Sequence, residues 1–348
     1  MTERLGTRAA ALMMGAAMVF GASQAALAQN VDGPSLFWKI STWGNPRAFT
    51  AGLEHMAERV AEETGGKWQM RVFYGEQLSK AKENLDGLKA NAFEAATFCN
   101  FYHPGKNPAN MVTTMPFLPV TTWDDMARVR AGLYEHQILK DEMDQWNAMY
   151  YASTNLPQYN ALGRGEPPLD PSDFKGLRVR AGGGIGDAMA KLGAVEQTMP
   201  ATETYTALQR GTVDAIFLPY TYAHASYKLD EVADWFTANL SPGTSDCPIV
   251  INKTAYDALP EQYKALLAEI QPELLGVYRA AYEEADAKFL PRFQERLEEI
   301  TYTDEQLAKF REAAGEPVWN AWVEVNKDNF DAQAILDETL RLANEGGS

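Results

Sequence analysis

Residues 177–186 place an arginine where it could hold an anion. Arg180 ends a short β-type run, Leu177-Arg178-Val179-Arg180, and the stretch Gly182-Gly183-Gly184-Ile185-Gly186 follows almost at once. A guanidinium presents a planar fork of donors that matches the two oxygens of a carboxylate. Gly183, Gly184 and Gly186 let backbone approach closely, and a helix N-terminus opening there favours negative charge. Arg178, two residues earlier, is expected as a surface or structural side chain. The glycine run lacks the third glycine of a dinucleotide fingerprint and the Lys-Ser/Thr of a phosphate-binding loop, so phosphate of a nucleotide cofactor is not expected there.

Other reactive constellations are scarce. No Gly-x-Ser-x-Gly elbow occurs, and His55, His103, His136 and His224 form no recognisable triad or metal pair. With only Cys99 and Cys247 beside them, no zinc-ligand spacing arises. A carboxylate pair of glycosidase type stays formally open among the many acids; the expectation is no catalytic residue, no metal and no cofactor. Ligands of open α/β sheets sit beyond the C-terminal ends of strands. Trp43 and Asn45 follow the first strand-like run, Phe101 and Tyr102 the run ending near Cys99, and Tyr220 comes just after Pro219, so these are cleft candidates.

Charge and compartment narrow the partners. The chain of 348 residues carries 31 basic and 47 acidic side chains, a formal net charge of −16. Such a surface repels nucleic acid and anionic lipid, yet a pocket can keep a few arginines beneath it. Arg4 and Arg8 precede the apolar stretch 9–22, and Ala26-Leu27-Ala28 supplies small residues for a peptidase. That order reads as a secretory signal peptide, residues 1–28, cut after Ala28. The apolar run, about 14 residues, is short of the roughly 20 a membrane-spanning helix needs. No lipobox cysteine stands at the cut, so a soluble exported product is expected. Its cysteines meet oxidising conditions, which permit a Cys99–Cys247 bridge; two separately packed thiols are the preferred reading.

The elements around these residues alternate strand and helix. Ser35–Trp43 reads as a strand, the recurrence of Phe49, Leu53, Met56 and Val60 as a helix, and Trp68–Tyr74 as a strand. A helix over 79–90, a strand over 94–99, a long helix from the cap Thr122 to about Asn147 and a strand over 149–153 follow. The second unit opens near Gln158, with the strand Leu177–Arg180, a helix from the glycine run through Leu192, a helix over 202–210 and a strand over 213–218. A helical pattern then spans 261–299, with Pro272 and Pro291 expected to kink or break it. Helices over 304–314 and 329–344 end the chain. This βαβ alternation predicts largely parallel sheets covered by helices.

Several blocks in this order resemble the solute-binding proteins of TRAP (tripartite ATP-independent periplasmic) transporters, the DctP type. They are Glu63-Thr64-Gly65-Gly66-Lys67-Trp68 with Gly75-Glu76-Gln77-Leu78; Met115-Pro116-Phe117-Leu118; and, most specific, Asp173-Phe174-Lys175-Gly176-Leu177-Arg178-Val179-Arg180. The last continues into Lys191-Leu192-Gly193-Ala194 and into Tyr205-x-Ala207-Leu208-Gln209-x-Gly211-x-Val213-Asp214. The resemblance covers the whole chain after the leader.

It implies an α/β fold of two lobes, a periplasmic-binding-protein clamshell with crossing strands and a long lobe-spanning helix, for which 261–299 is the candidate. The expected boundaries are 30–157 plus 246–285 for lobe I and 158–245 plus 286–348 for lobe II. It further implies a periplasmic, non-enzymatic binder that closes on a small organic acid and delivers it to two membrane subunits, one small and one large. An ABC-type periplasmic binding protein or an organic-acid sensor module is the alternative. Arg180 matches the family's carboxylate-binding arginine, and Arg164 lies where many members carry another. Arg180-Ala181-Gly182-Gly183 and Gln158 fit the branch for 2-oxo and lactate-type acids, in which the Gln helps hold a cation beside the ligand. The Glu-Trp pair of that branch is replaced here by Phe217 and Leu218, which removes a hard oxygen ligand and makes a cation doubtful. The more apolar wall favours a monocarboxylate, including one with an apolar or aromatic body.

Overall fold

The computed structural model describes residues 31–345; the expected signal peptide lies outside the described residues. Among the described residues, eleven strands form two sheets. In chain order they are β1 (Leu36–Ser41), β2 (Trp68–Phe73), β3 (Ala95–Thr97), β4 (Ala148–Ala152), β5 (Tyr159–Gly163), β6 (Arg178–Arg180), β7 (Val195–Gln197), β8 (Ala215–Pro219), β9 (Trp235–Thr237), β10 (Ile249–Asn252) and β11 (Glu298–Ile300). The first sheet runs β2-β1-β3-β10-β4, the second β11-β9-β5-β8-β6-β7.

Both sheets are mixed, where βαβ alternation predicts largely parallel ones. β1 pairs parallel with β2 and β3, and β6 with β7 and β8, joined by crossover connections. β10 and β5 run antiparallel to their neighbours. Each is reached when the chain crosses from one sheet to the other, over residues 153–158 and 238–248. A crossing strand enters from the opposite end, so its direction reverses.

The two crossing segments lie side by side and are tied by polar contacts. Thr154 donates to the Cys247 carbonyl at 3.0 Å, and Thr244 to that of Leu156 at 2.9 Å. Arg130, from the helix Trp123–Glu135, donates to the Ser245 carbonyl at 2.9 Å and has its Nε 3.7 Å from the Asp246 carboxylate. Ser153 and Tyr134 also donate to Asp246. This arginine and aspartate are both buried, and each neutralises the other.

Cys99 and Cys247 form a disulfide, which corrects the expectation of two separate thiols. The physical reason is register. Ile249 faces Thr97 across the β3–β10 ladder, and the alternation continues past the strand ends, with Phe98 N–H bonded to the Pro248 carbonyl and Asn100 N–H to that of Asp246. The next facing pair is therefore Cys99 and Cys247, with Cα atoms 4.0 Å apart.

The long helical pattern divides at Pro272 into Glu261–Ile270 and Glu273–Arg296; Pro291 lies inside the second helix. Glu273–Arg296 packs on the helix Ala51–Glu63 of the first sheet's side and on Tyr222–Ser226 of the second's. Tyr278 fits against Gly52, where a Cβ would lie 2.4 Å from its ring. Tyr282 donates to the Thr154 carbonyl at 3.0 Å, and Asp286 accepts from Thr221 Oγ1 at 2.8 Å. The helix thus struts both sheets.

Other helices differ from expectation in detail. Thr122 does cap its helix, accepting from Asp125 N–H. The predicted single helix is two, Trp123–Glu135 and Gln137–Asp144, because His136 takes an extended conformation. A helix over Glu316–Asn326, opened by Gly315 and Pro317, was not anticipated. The last helix, Ala332–Asn344, returns to pack on Trp123–Glu135. Arg128 donates there to the Leu342 and Ala343 carbonyls. Within the segment 286–348, the last helix thus contacts a helix from the part of the chain before β4. Among the described residues no helix is long and apolar enough to cross a membrane.

Candidate functional site

A cavity lies where the C-terminal ends of the parallel strands of both sheets face each other. After β1 come Trp43, Arg47 and Phe49; after β3 come Cys99, Phe101 and Tyr102. Arg180 ends β6, and Leu218 and Pro219 end β8. Tyr159 opens β5, while Leu156 and Cys247 come from the crossing segments. Ala201, Tyr222, Ala223 and Tyr227 complete the wall. The space between these side chains is about 30 Å³, room for about two waters.

Arg180 is 0 % exposed. Arg178 and Arg180, two residues apart, leave the same face of β6; what separates them is depth, with Arg180 buried at the C-terminal end of the strand and Arg178 exposed at its start, where it pairs with Asp214 at 2.5 Å. The Arg180 guanidinium donates from Nε and Nη2 to the Met199 carbonyl (3.2 and 2.8 Å) and from Nη1 to the Phe217 carbonyl (2.9 Å). Nη2 makes a long contact, 3.4 Å, with the Tyr102 hydroxyl. The Phe101 ring lies 5.4 Å below the guanidinium carbon. All of these partners are neutral, and the cavity wall contains no Asp, Glu or His. Arg130, the other buried arginine among the described residues, has Asp246; Arg180 has no carboxylate within ion-pair distance.

Tyr102 joins the two sides. Its hydroxyl accepts from the Ala201 N–H at 2.8 Å as well as from Arg180. Burial pushes this phenol above its ordinary range, the Arg180 charge opposing the shift only in part. It stays protonated, with its own O–H available to donate. Trp43 stands edge-on to the same ring at 5.6 Å.

The glycine run acts differently from the expectation of backbone approaching an anion. A Cβ on Gly182 would lie 2.2 Å from the Phe101 ring, and one on Gly183, at φ +60°, 2.6 Å from Thr114 Oγ1. Gly184 N–H donates to Thr114 Oγ1 at 2.8 Å. The glycines let the helix Gly183–Lys191 press against the segment Asn110–Thr114, and Thr114 occupies its N-terminus.

Of the residues singled out from sequence, the structure brings Arg180, Trp43, Phe101, Tyr102 and Leu218 into this cavity. Phe217 contributes its carbonyl to Arg180, but its side chain turns into the core, because neighbours along β8 face opposite ways. Asn45 is exposed, and its carbonyl accepts from Arg47 at 2.8 Å. Gln158 lies beside a separate small cavity with Val120 and Arg130, and its amide donates to the Val120 carbonyl at 2.8 Å. Arg164 donates to the Leu208 and Gln209 carbonyls at 3.3 and 3.2 Å, away from the cavity, since β5 runs antiparallel and carries its C-terminal end to the far edge. Tyr220 stacks on Phe236 outside the wall. Arg47, Tyr159, Tyr222 and Tyr227 were missed. Arg47, four residues after Trp43 in the same post-strand loop, could have been found by the rule that picked Trp43. Among the described residues no group of three or more His, Cys, Asp or Glu side chains could hold a metal ion.

Comparison with known proteins gives a consistent result. The family model of the bacterial extracellular solute-binding proteins, family 7 (DctP), matches residues 41–325. A monocarboxylate 2-oxoacid-binding periplasmic protein of Nostoc sp. is 26% identical over 323 residues, covering 85% of this chain and 86% of the relative. The C4-dicarboxylate-binding periplasmic protein DctP of Rhodobacter capsulatus is 26% identical over 245 residues, covering 69% and 71%. A TRAP solute-binding protein of Rhodoferax ferrireducens, solved with copurified benzoate, superposes with a TM-score of 0.79 at 20% identity, covering 89% of this chain and 98% of that one. The last likeness establishes the clamshell fold.

Proposed function

The chain belongs to the DctP family of bacterial extracellular solute-binding proteins, and from that premise we propose that it captures a small organic monocarboxylate for a TRAP permease. One observation carries this reading: a fully buried guanidinium whose partners are all neutral. Taking an unpaired cation out of water costs several kcal/mol. A carboxylate entering the cavity offsets that cost and forms charge-assisted hydrogen bonds in a water-poor space. The ligand's anionic end rests on Arg180, with the Tyr102 hydroxyl as a further donor. Its body lies among Trp43, Phe49, Phe101, Leu218 and Tyr222, an apolar wall that must part by hinge motion to admit any group larger than the roughly two waters the space has room for.

Two relatives support the class, the Nostoc protein by its 2-oxo acid ligand and the Rhodoferax protein by its benzoate. The chain works in the periplasm after loss of residues 1–28. The crossing segments 153–158 and 238–248 act as the hinge between lobes, and the ligand-closed form docks on the small and large membrane subunits. Ligand is bound and released unchanged. The experiment is a thermal-shift screen of the exported chain against 2-oxo, 2-hydroxy, aromatic and dicarboxylic acids, with neutral sugars as controls. Ligand at a hundred times Kd adds about 2.7 kcal/mol, so a true ligand raises Tm by several degrees. Stabilisation by sugars alone, or consumption of the bound acid followed by mass spectrometry, would overturn the proposal.

A further inference from the structure

The same cavity holds a second guanidinium that has no counter-charge among the described residues. Arg47 is half-buried in the loop after β1. Its Nη1 donates to the carbonyls of Trp43 (2.9 Å) and Asn45 (2.8 Å), and its other N–H groups have no partner among the described residues. Its guanidinium carbon lies 4.7 Å from the Phe49 ring centre and 5.8 Å from that of Tyr227. Tyr227 follows the helix Tyr222–Ser226, on the second sheet's side. Its hydroxyl is buried and makes no hydrogen bond. Gly44, at φ +68°, allows the two groups to meet, since a Cβ there would lie 2.8 Å from Arg47 Nη1 and 3.1 Å from the Tyr227 hydroxyl oxygen. Both side chains line the cavity that contains Arg180.

We propose that Arg47 and Tyr227 form a second pole that reads an acceptor oxygen on the body of the ligand. This rests on the reading of Arg180 as the carboxylate anchor. The groups left over are N–H and O–H donors, one charged, with nothing to accept from them. A hydrocarbon acid seated on Arg180 would leave the Tyr227 hydroxyl buried and unsatisfied, which weakens its binding. An acid with a carbonyl or hydroxyl oxygen satisfies it and faces the Arg47 charge. The preferred ligand is therefore an oxygen-bearing monocarboxylate, of 2-oxo or hydroxy type, over the deoxygenated acid of the same skeleton. Because Arg47 and Tyr227 come from opposite sides, the oxygen also bridges the two lobes.

The test is calorimetry on matched pairs, pyruvate against propionate and 3-hydroxybenzoate against benzoate, with the wild-type chain, Tyr227→Phe, Arg47→Gln and Arg180→Met. In at least one pair the wild type should prefer the oxygenated acid by tenfold or more. That preference should fall about tenfold in Tyr227→Phe and in Arg47→Gln. Equal affinities within both pairs, or variants that weaken both members alike and keep the ratio, would overturn the second pole and leave the anchor standing. Arg180→Met that binds both members as well as the wild type does would overturn the anchor itself. Thermal melts of each variant separate these outcomes from loss of fold.

Discussion

Replacing Arg180 by methionine separates its roles in binding and in folding. Methionine keeps much of the stem's volume and removes the charge. In the ligand-free chain two effects oppose each other. The carbonyls of Phe217 and Met199 lose their donor, at about 1–3 kcal/mol for each group left buried and unpaired. Against this, a cation buried without a counter-ion is gone, which returns several kcal/mol. Stability in urea should therefore shift little, unlike the loss expected on removing an arginine from a paired site. Binding behaves otherwise. Truncating one member of a buried, hydrogen-bonded charge pair costs about 2–5 kcal/mol, a loss of roughly 30- to 5,000-fold in affinity. Isothermal titration with the best acid from the screen measures it directly. A folded Arg180→Met chain with affinity within threefold of wild type would refute the reasoning.

Three further outcomes follow from the described contacts. Reduction of Cys99–Cys247, or the double change Cys99→Ala with Cys247→Ala, should lower unfolding free energy by about 2–5 kcal/mol, since the bridge closes a long loop; urea titration with and without reductant checks it. Asp246→Ala leaves the Arg130 guanidinium buried without its partner and should cost about 3–5 kcal/mol, where Arg180→Met does not. The third outcome concerns pH. Burial lowers His224 to about 3 and His103 to about 4. The folded state keeps both neutral while the unfolded chain protonates them near pH 6.5, so the stability they support is present above 6.5 and lost as pH falls toward those values. At pH 5 the loss is about 2 kcal/mol for each. Glu142, raised to about 7 by burial, works the other way, its stabilising share being lost as pH rises from 4.5 to 7. Calorimetric melts from pH 7.5 to 4.5 should show a net fall in Tm toward acid, reduced in His224→Leu.

What was legible in the sequence was local. Residue types and alternation were enough to place β1, β2 and the helix Asp304–Ala314, and the position of Arg180 at a strand end was enough to single it out. The ordered blocks around Asp173–Arg180 were enough for the family and thus for the two-lobed fold. What was not legible depends on contacts far apart in the chain. The antiparallel strands β5 and β10 arise only because the chain crosses between sheets. The Cys99–Cys247 bridge joins positions 148 residues apart, and its register cannot be known before β10 is placed beside β3. The glycine run looked like an approach for an anion because Thr114, some 70 residues earlier, was not known to sit on it. Arg47 was overlooked beside Trp43 because its missing counter-charge shows only once its surroundings are assembled.

Everything proposed for binding rests on the buried Arg180 guanidinium, with no carboxylate partner of its own, receiving an organic acid. The most direct measurement is a crystal structure of the exported chain grown with the acid that most raises its Tm. A carboxylate oxygen is expected within hydrogen-bonding distance of Arg180 and of the Tyr102 hydroxyl. An acid seated elsewhere, with Arg180 still bonded only to the Met199 and Phe217 carbonyls, would contradict it.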